Sequence, residues 1–240
     1  MSWTIIWQTW VFVIGIFFVL PLIGSALISV VTTRTNQHLM RAFGLNAPLI
    51  FGWFGVMVHE ISHAVMSMIF GHHVDKIKLL QNPFKEGNEN RMGYMSHAWN
   101  PKNKYQQLGN FFIGMAPIFG IALTSWGLTK LLWPQLLIGF HDGSSVWLNT
   151  AWWQVALWMY AILNLSLALN LSDADWQNTK SGALYYFIFL TIVALGVGLW
   201  INDAFIIWEN VGRPIACFFG GVLAATFIMY MLTAIIGRRQ

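Results

Sequence analysis

The sequence predicts an all-α polytopic membrane protein with about six transmembrane helices. Hydrophobic residues make up 57% of its 240 residues and charged residues only 9%, whereas about a quarter of the residues of a soluble domain are charged. Several apolar stretches contain the roughly 20 residues that a helix needs to cross a bilayer. Because no stretch resembles an appended soluble domain, residues 1–240 are expected to form a single membrane domain.

The predicted helices follow one another along the chain with one long connection among them. Their ranges are 5–31, 48–70, 111–133, 151–171, 183–201 and 214–236. The first range is too long for a secretory signal and lacks a basic start and a small-residue cleavage site, so we expect it to remain as a helix. The third range contains Gly114, Pro117 and Gly120, which predict a kink or a close contact with a neighbouring helix.

The long connection, residues 71–110, carries most of the polar residues outside the predicted helices. Residues 76–79 alternate between polar and apolar, Asn88-Glu89-Asn90 is typical of a turn, and residues 93–99 are suited to a returning strand. This pattern predicts a short β-hairpin between helices 2 and 3. An irregular solvated loop is an equally compatible interpretation.

The net charge of +4 is informative through its distribution along the chain. If six helices alternate across the membrane, most lysines and arginines fall on the side of the long connection, and both termini lie on that side. The excess of positive charge predicts that this side is cytoplasmic. No basic, aromatic-interleaved soluble domain is present, so nucleic acid is not an expected partner. The single Cys217 excludes an intrachain disulfide and a cysteine-based zinc site.

A His-Glu-x-x-His pattern lies within the second apolar range, formed by His59, Glu60 and His63. Residues four apart share one face of a helix, so both imidazoles can reach a single zinc ion. Glu60 would then lie beside the metal, where it can take a proton from an attacking water and pass it to the leaving amine. Ionisable residues in the middle of an apolar span are costly unless they are functional. The alternative is a polar cluster that joins two helices.

A zinc hydrolase needs a third protein ligand and an open position for water. Asp173 and Asp175 follow the fourth apolar range, on the same predicted side as the histidines. Since they are two residues apart, they lie on nearly opposite sides of a helix, and we expect one of them to reach the metal. Glu86 and Glu89, in the long connection, are more simply explained as solvated residues.

Other polar residues have less specific interpretations. Asn164 and Asn170 are candidates to line the site, and Asn164 to donate a hydrogen bond to a developing oxyanion. Contact between helices is the alternative role for both. His72 is expected to be solvated at the membrane interface, and His97 has no sequence neighbours that indicate a role.

Across residues 48–176 the chain resembles the site-2 protease family of intramembrane zinc metalloproteases. The histidine helix matches the family's first motif, Ala116-Pro117 resembles its Gly-Pro-like motif, and residues 164–175 occupy the place of its aspartate-bearing helix. The family's usual Asn-x-x-Pro and Asp-Gly elements are missing, because Asn164 is followed by Leu-Ser-Leu and Asp175 by Trp176.

The resemblance implies a catalytic core at 48–176, with flanking helices at 5–31 and 183–236. It also implies that Asp175 is the third zinc ligand, since the Ser-x-x-Asp run that ends there resembles a variant of the third motif, with Asp173 as the alternative ligand. The implied activity is hydrolysis of peptide bonds in or near transmembrane segments. The expected partners are membrane proteins with a transmembrane helix and the lipid bilayer, in a bacterial plasma membrane.

Two other functions are compatible with the same residues. One is a catalytically inactive relative that binds membrane helices as a scaffold. The other is a membrane zinc transporter, because a family of zinc permeases also places His-Glu-x-x-His on a membrane helix. Those permeases carry a cluster of His, Asn and Asp on the preceding helix, which residues 5–31 lack.

Overall fold

The computed structural model describes residues 3–88, 91–137 and 150–237. Its bundle is built from helices α1 to α6, and a hairpin of β1 and β2 connects α2 to α3. Their bounds are α1 Trp3–Phe43, α2 Ala47–Ile69, β1 His73–Lys78, β2 Tyr94–Ala98, α3 Lys104–Leu132, α4 Trp152–Ser166, α5 Asp173–Gly198 and α6 Phe205–Gly237. Within α1 and α6, the π-helical turns Gly15–Val19 and Trp208–Gly212 interrupt the α-helix.

In this part of the chain, five helices are long and apolar enough to cross a membrane, and α4 is not one of them. α4 has 15 residues, fewer than the roughly 20 that a span requires. The prediction of a helical polytopic membrane protein is thereby confirmed in its general form, whereas the number of six crossings is not.

The fourth predicted range, 151–171, does not form one helix. α4 ends at Ser166, and residues 167–172 are non-helical although they lie largely inside the bundle. Side chains of α1 bond the backbone groups released there: Asn36 Nδ2 donates to the Leu167 carbonyl, and the Leu171 N–H donates to Ser29 Oγ. Non-helical backbone is tolerated at membrane depth only when protein groups bond it in this way. α5 then begins at Asp173, well before the predicted residue 183.

α1 and α6 pack side by side and run in the same direction. Their contacts follow the same order along both helices: Phe12 with Phe205, Gly24 with Phe219, and His38 with Tyr230. Trp3 and Gly237 therefore lie at opposite ends of the bundle. The expectation that both termini share one side of the membrane depends on six crossings, and α4 is shorter than a crossing requires. The side of the membrane on which each terminus lies stays a prediction.

The predicted hairpin is present. β1 and β2 are antiparallel, with His73 opposite Ala98 and Lys78 opposite Tyr94, and the register shifts between Val74 and Lys76. Of the predicted turn, Glu89 and Asn90 lie outside the described residues.

α3 approaches both α2 and α5 closely, as its small residues predict. Gly114 lies against Thr179 and the Asp175 carbonyl of α5, and Gly120 lies against Ser62 of α2. A side chain at either glycine would push the helices apart. α3 therefore brings the histidine turns of α2 and the first turn of α5 to one place in the bundle.

Gly55→Ala is expected to lower the stability of the bundle by about 1–3 kcal/mol, since overpacking forces neighbouring backbone to move. The added Cβ would lie 2.8 Å from Ala168 Cβ and against the Asn164 carbonyl. Gly127→Ala is the matched control, because nothing lies within 4 Å of the Cβ that it adds. The midpoint of thermal unfolding in detergent measures both variants, and equal midpoints would contradict this packing of α2 against α4.

Candidate metal centre

His59 and His63 lie on successive turns of α2 and direct one ring nitrogen each at the same point. Their Nε2 atoms are 3.2 Å apart. The other nitrogens meet backbone carbonyls: His59 Nδ1 is 2.9 Å from the Ala168 oxygen, and His63 Nδ1 is 2.7 Å from the Ile113 oxygen. Because a carbonyl only accepts, each Nδ1 carries the proton and each Nε2 retains a lone pair. Metal-binding histidines are commonly oriented by such outer hydrogen bonds.

Asp175 brings its carboxylate to the same point from the first turn of α5. Its Oδ1 is 3.0 Å from His63 Nε2, and its Oδ2 is 3.7 Å from His59 Nε2. Ligand atoms of the three residues lie within 4.8 Å of one another. Since two nitrogen or oxygen ligands of a tetrahedral zinc are about 3.3 Å apart, this donor set has the composition and the spacing that zinc requires.

A capping box at the start of α5 orients the Asp175 carboxylate. The Ser172 N–H donates to Asp175 Oδ2 at 2.7 Å, and the Asp175 N–H donates to Ser172 Oγ at 3.2 Å. This reciprocal pair starts a helix and fixes the side chains that form it. Asp173 is exposed on the same turn and does not belong to the cluster. Asp175 therefore reaches the histidines from the beginning of α5, and not from the end of the fourth predicted helix.

Glu60 is buried beside the three candidate ligands, on the wall of the same cavity. The backbone immediately before β2 passes over its side chain: a Cβ on Gly93 would lie 2.8 Å from Glu60 Cγ and 2.9 Å from the Leu79 carbonyl oxygen. A glycine is thus required where the hairpin meets Glu60.

The cavity at this centre has a volume of about 200 Å³, which is room for about six water molecules at their liquid volume. Its walls come from α2, from the backbone before and within β2, from residues 168–172 and from α5. Besides Glu60 and the ligand residues, polar side chains line it: Arg91, Tyr94, His97, Asn170, Ser172 and Asn178. Of these, only Asn170 is a candidate from the sequence.

Asn164 is buried, but it is not among the described residues that line the cavity. Its Oδ1 accepts a hydrogen bond of 3.0 Å from the Phe54 N–H, and its carbonyl lies against Gly55. These contacts join α2 and α4, as the alternative role predicts. Donation by Asn164 to an oxyanion stays a prediction.

His72 and His97 were missed by the sequence analysis. His72 is 5% exposed and lies beside His97, with their Nδ1 atoms 2.9 Å apart. The observed strand register places His97 opposite Val74, close to His72 in the chain. The sequence predicts the hairpin but not this register.

Zinc content per chain tests the ligand set. We expect about one zinc per chain in the wild type and in Asp173→Asn, and less than about 0.2 in His59→Ala and Asp175→Asn, since a three-ligand site loses most of its affinity with one ligand. Asp175→Asn retains an oxygen that can accept from the Ser172 N–H, so its helix start is preserved. Equal zinc content in Asp175→Asn and Asp173→Asn would exclude Asp175 as a ligand.

Lowering the pH is expected to destabilise the protein through His97. Burial, followed by the charges of His72 and His63, lowers the pKa of His97 to about 4, and Asp75 acts in the opposite direction. In the unfolded chain the pKa is about 6.5, so the unfolded chain binds the proton first as the pH falls. The stabilising effect of neutral His97 is complete above about pH 6.5 and is lost progressively towards about pH 4.

Thermal unfolding of the wild type and His97→Phe between pH 7 and 4.5 measures this contribution. The midpoint of the variant should fall less steeply with pH, because it lacks the titrating group. If the midpoints of the two proteins fall equally with pH, His97 does not contribute to the pH dependence of stability.

No family model, curated protein or solved structure matches the chain. The chemistry of this centre is therefore inferred from its own residues and contacts.

Proposed function

We propose that the protein is an intramembrane zinc metalloprotease, similar to the site-2 proteases, that cleaves peptide bonds in or near transmembrane segments of membrane proteins. One observation carries the proposal. Two histidines and an aspartate place their ligand atoms within 4.8 Å of one another between helices of an apolar bundle, and Glu60 lines the same cavity.

His59, His63 and Asp175 would hold the zinc ion and leave one tetrahedral position open. Bound zinc supplies a Lewis acid that polarises a peptide carbonyl and lowers the pKa of water. Two neutral imidazoles and one carboxylate neutralise only part of the charge of a zinc ion, so the zinc and its ligands together would carry a net positive charge. This charge favours the negative charge that develops on the carbonyl oxygen during hydrolysis.

Glu60 is the residue that would transfer protons. Its carboxylate takes a proton from a water in the cavity and delivers it to the nitrogen of the leaving amine. The backbone at Gly93 packs directly on the Glu60 side chain. The carboxylate is therefore held at the cavity wall, within reach of a peptide bond that enters the site.

The hairpin would supply the surface that binds the substrate. Gly93, Tyr94 and Met95 line the cavity together with the ligand residues, so a segment that enters the cavity lies beside β2. A locally unwound helix exposes backbone groups that need partners in an apolar environment. Pairing with a strand edge provides these partners through main-chain hydrogen bonds.

The hairpin side of the bundle is proposed to be cytoplasmic, in a bacterial plasma membrane. The connection from α2 to α3 and the first turn of α3 carry Lys76, Lys78, Lys85, Arg91, Lys102 and Lys104. The opposite ends of α1 and α3 carry fewer basic residues, Arg34, Arg41 and Lys130. By the positive-inside rule, Trp3 would lie on the cytoplasmic side and Gly237 on the other.

Glu60→Gln tests the mechanism, because glutamine retains the size and polarity of glutamate but cannot take the proton. We expect cleavage of single-pass reporter proteins in reconstituted membranes to fall by about 100-fold or more, with the zinc content unchanged. Asp173→Asn is the matched control for removal of a carboxylate and should cleave as the wild type does.

Two results would contradict the proposal. Cleavage by Glu60→Gln at the wild-type rate would exclude Glu60 as the proton-transfer residue. If the zinc-loaded wild type binds the single-pass reporter proteins but cleaves none of them, the protein is a helix-binding scaffold and not a protease.

A further inference from the structure

Two histidines outside the membrane-spanning helices have partners at all four of their ring nitrogens. His72 Nδ1 is 2.9 Å from His97 Nδ1, and His72 Nε2 is 2.9 Å from the Gln106 carbonyl oxygen. His97 Nε2 is 3.4 Å from the side-chain nitrogen of Asn178. The four residues therefore form one continuous chain of polar contacts.

One arrangement of protons makes every contact a hydrogen bond with both rings neutral. The Gln106 carbonyl only accepts, so His72 Nε2 donates to it and His72 Nδ1 is left as an acceptor. His97 Nδ1 then donates to His72, and His97 Nε2 accepts from the Asn178 amide. A second proton on either ring would place two N–H groups against each other. Burial lowers the pKa of both rings, which keeps them neutral at neutral pH.

The chain of hydrogen bonds connects four separate elements. Asn178 lies in α5, His97 in β2, His72 between α2 and β1, and Gln106 in the first turn of α3. Trp99 covers both rings, with its centroid 5.9 Å from that of His72 and 5.5 Å from that of His97. The end of β2 is thereby attached to α2, α3 and α5, the three helices that surround the candidate metal centre.

The contact between His97 and Asn178 joins two parts of the cavity wall, β2 and α5. Both residues line the cavity, and Asn178 lies one turn after the ligand Asp175 on α5. The pairing of β1 with β2 holds the hairpin together, but it does not attach the hairpin to α5. Gly93, Tyr94 and Met95 line the same cavity and precede His97 in the chain, and Tyr94 and Met95 lie on the same strand.

We propose that His72 and His97 are positioning residues that set the width of the cavity by holding β2 at a fixed distance from α5. The consequence for catalysis rests on the proposed protease function, whereas the consequence for β2 does not. Loss of the hydrogen-bond chain lets β2 move away from α5 while the three metal ligands remain in place. A substrate segment then binds more weakly, although the reacting groups are unchanged.

His97→Phe and His72→Phe test this inference, because each keeps an aromatic ring and removes the hydrogen bonds. We expect backbone amides of residues 94–98 to exchange with solvent about tenfold faster in both variants, with the zinc content unchanged. For reporter cleavage we expect KM to rise about fivefold and kcat to change less than about twofold. His97→Asn should recover part of the protection, since its side-chain amide can donate to His72 from near the position of Nδ1.

His73→Ala is the matched control. His73 is exposed on the same hairpin, 3.8 Å from Asp75, and its removal should change neither amide exchange nor KM. Wild-type exchange in His97→Phe and His72→Phe would overturn the proposal. So would a loss of zinc in these variants, or faster exchange at an unchanged KM. If the wild type cleaves no reporter, the protease function fails, and amide exchange alone still decides whether the histidines hold β2.

Discussion

The interruption between α4 and α5 is the constraint on which the arrangement of the site depends. A chain that leaves helical geometry inside an apolar bundle must find partners for its released backbone groups, and here one of those partners is a side chain of the candidate metal centre. The Ala168 carbonyl accepts a hydrogen bond from His59 Nδ1, so the non-helical segment orients the ring of a candidate metal ligand. The same interruption allows α5 to begin at the depth of that ring. Both consequences follow from ending one helix inside the protein.

The arrangement of the polar residues of α2 could be predicted from the sequence, because the helical period alone places His59 and His63 on one face and Glu60 beside them. The hairpin could be predicted because alternation and turn residues lie within one connection. The break after Ser166 could not, since residues 165–169 are as apolar as a continuing helix. The signal of the new helix lies further along, where Ser172 and Asp175 have the spacing of a capping box. Taken as a helix start, that pair would have predicted the depth of Asp175.

The partners of His72 and His97 could not be predicted, because they come from α3 and α5 and depend on how the hairpin is seated. Local sequence describes both as ordinary polar residues near a membrane surface. Their surroundings depend on the strand register and on the contact of both rings with Trp99. The contacts of Asn164 likewise depend on tertiary packing and could not be predicted from the local sequence. Its contacts with Phe54 and Gly55 appear only when α2 and α4 are in place.

The division of the proposed ligand set between α2 and α5 has a consequence for biosynthesis. Membrane helices enter the bilayer in chain order as they are made, so both histidines are inserted before the aspartate has been translated. Until α5 docks against α3, two imidazoles without a carboxylate are a weak zinc site. The nascent protein would therefore lack the proposed protease activity while it is still beside the insertion machinery, whose transmembrane helices belong to the proposed class of substrate.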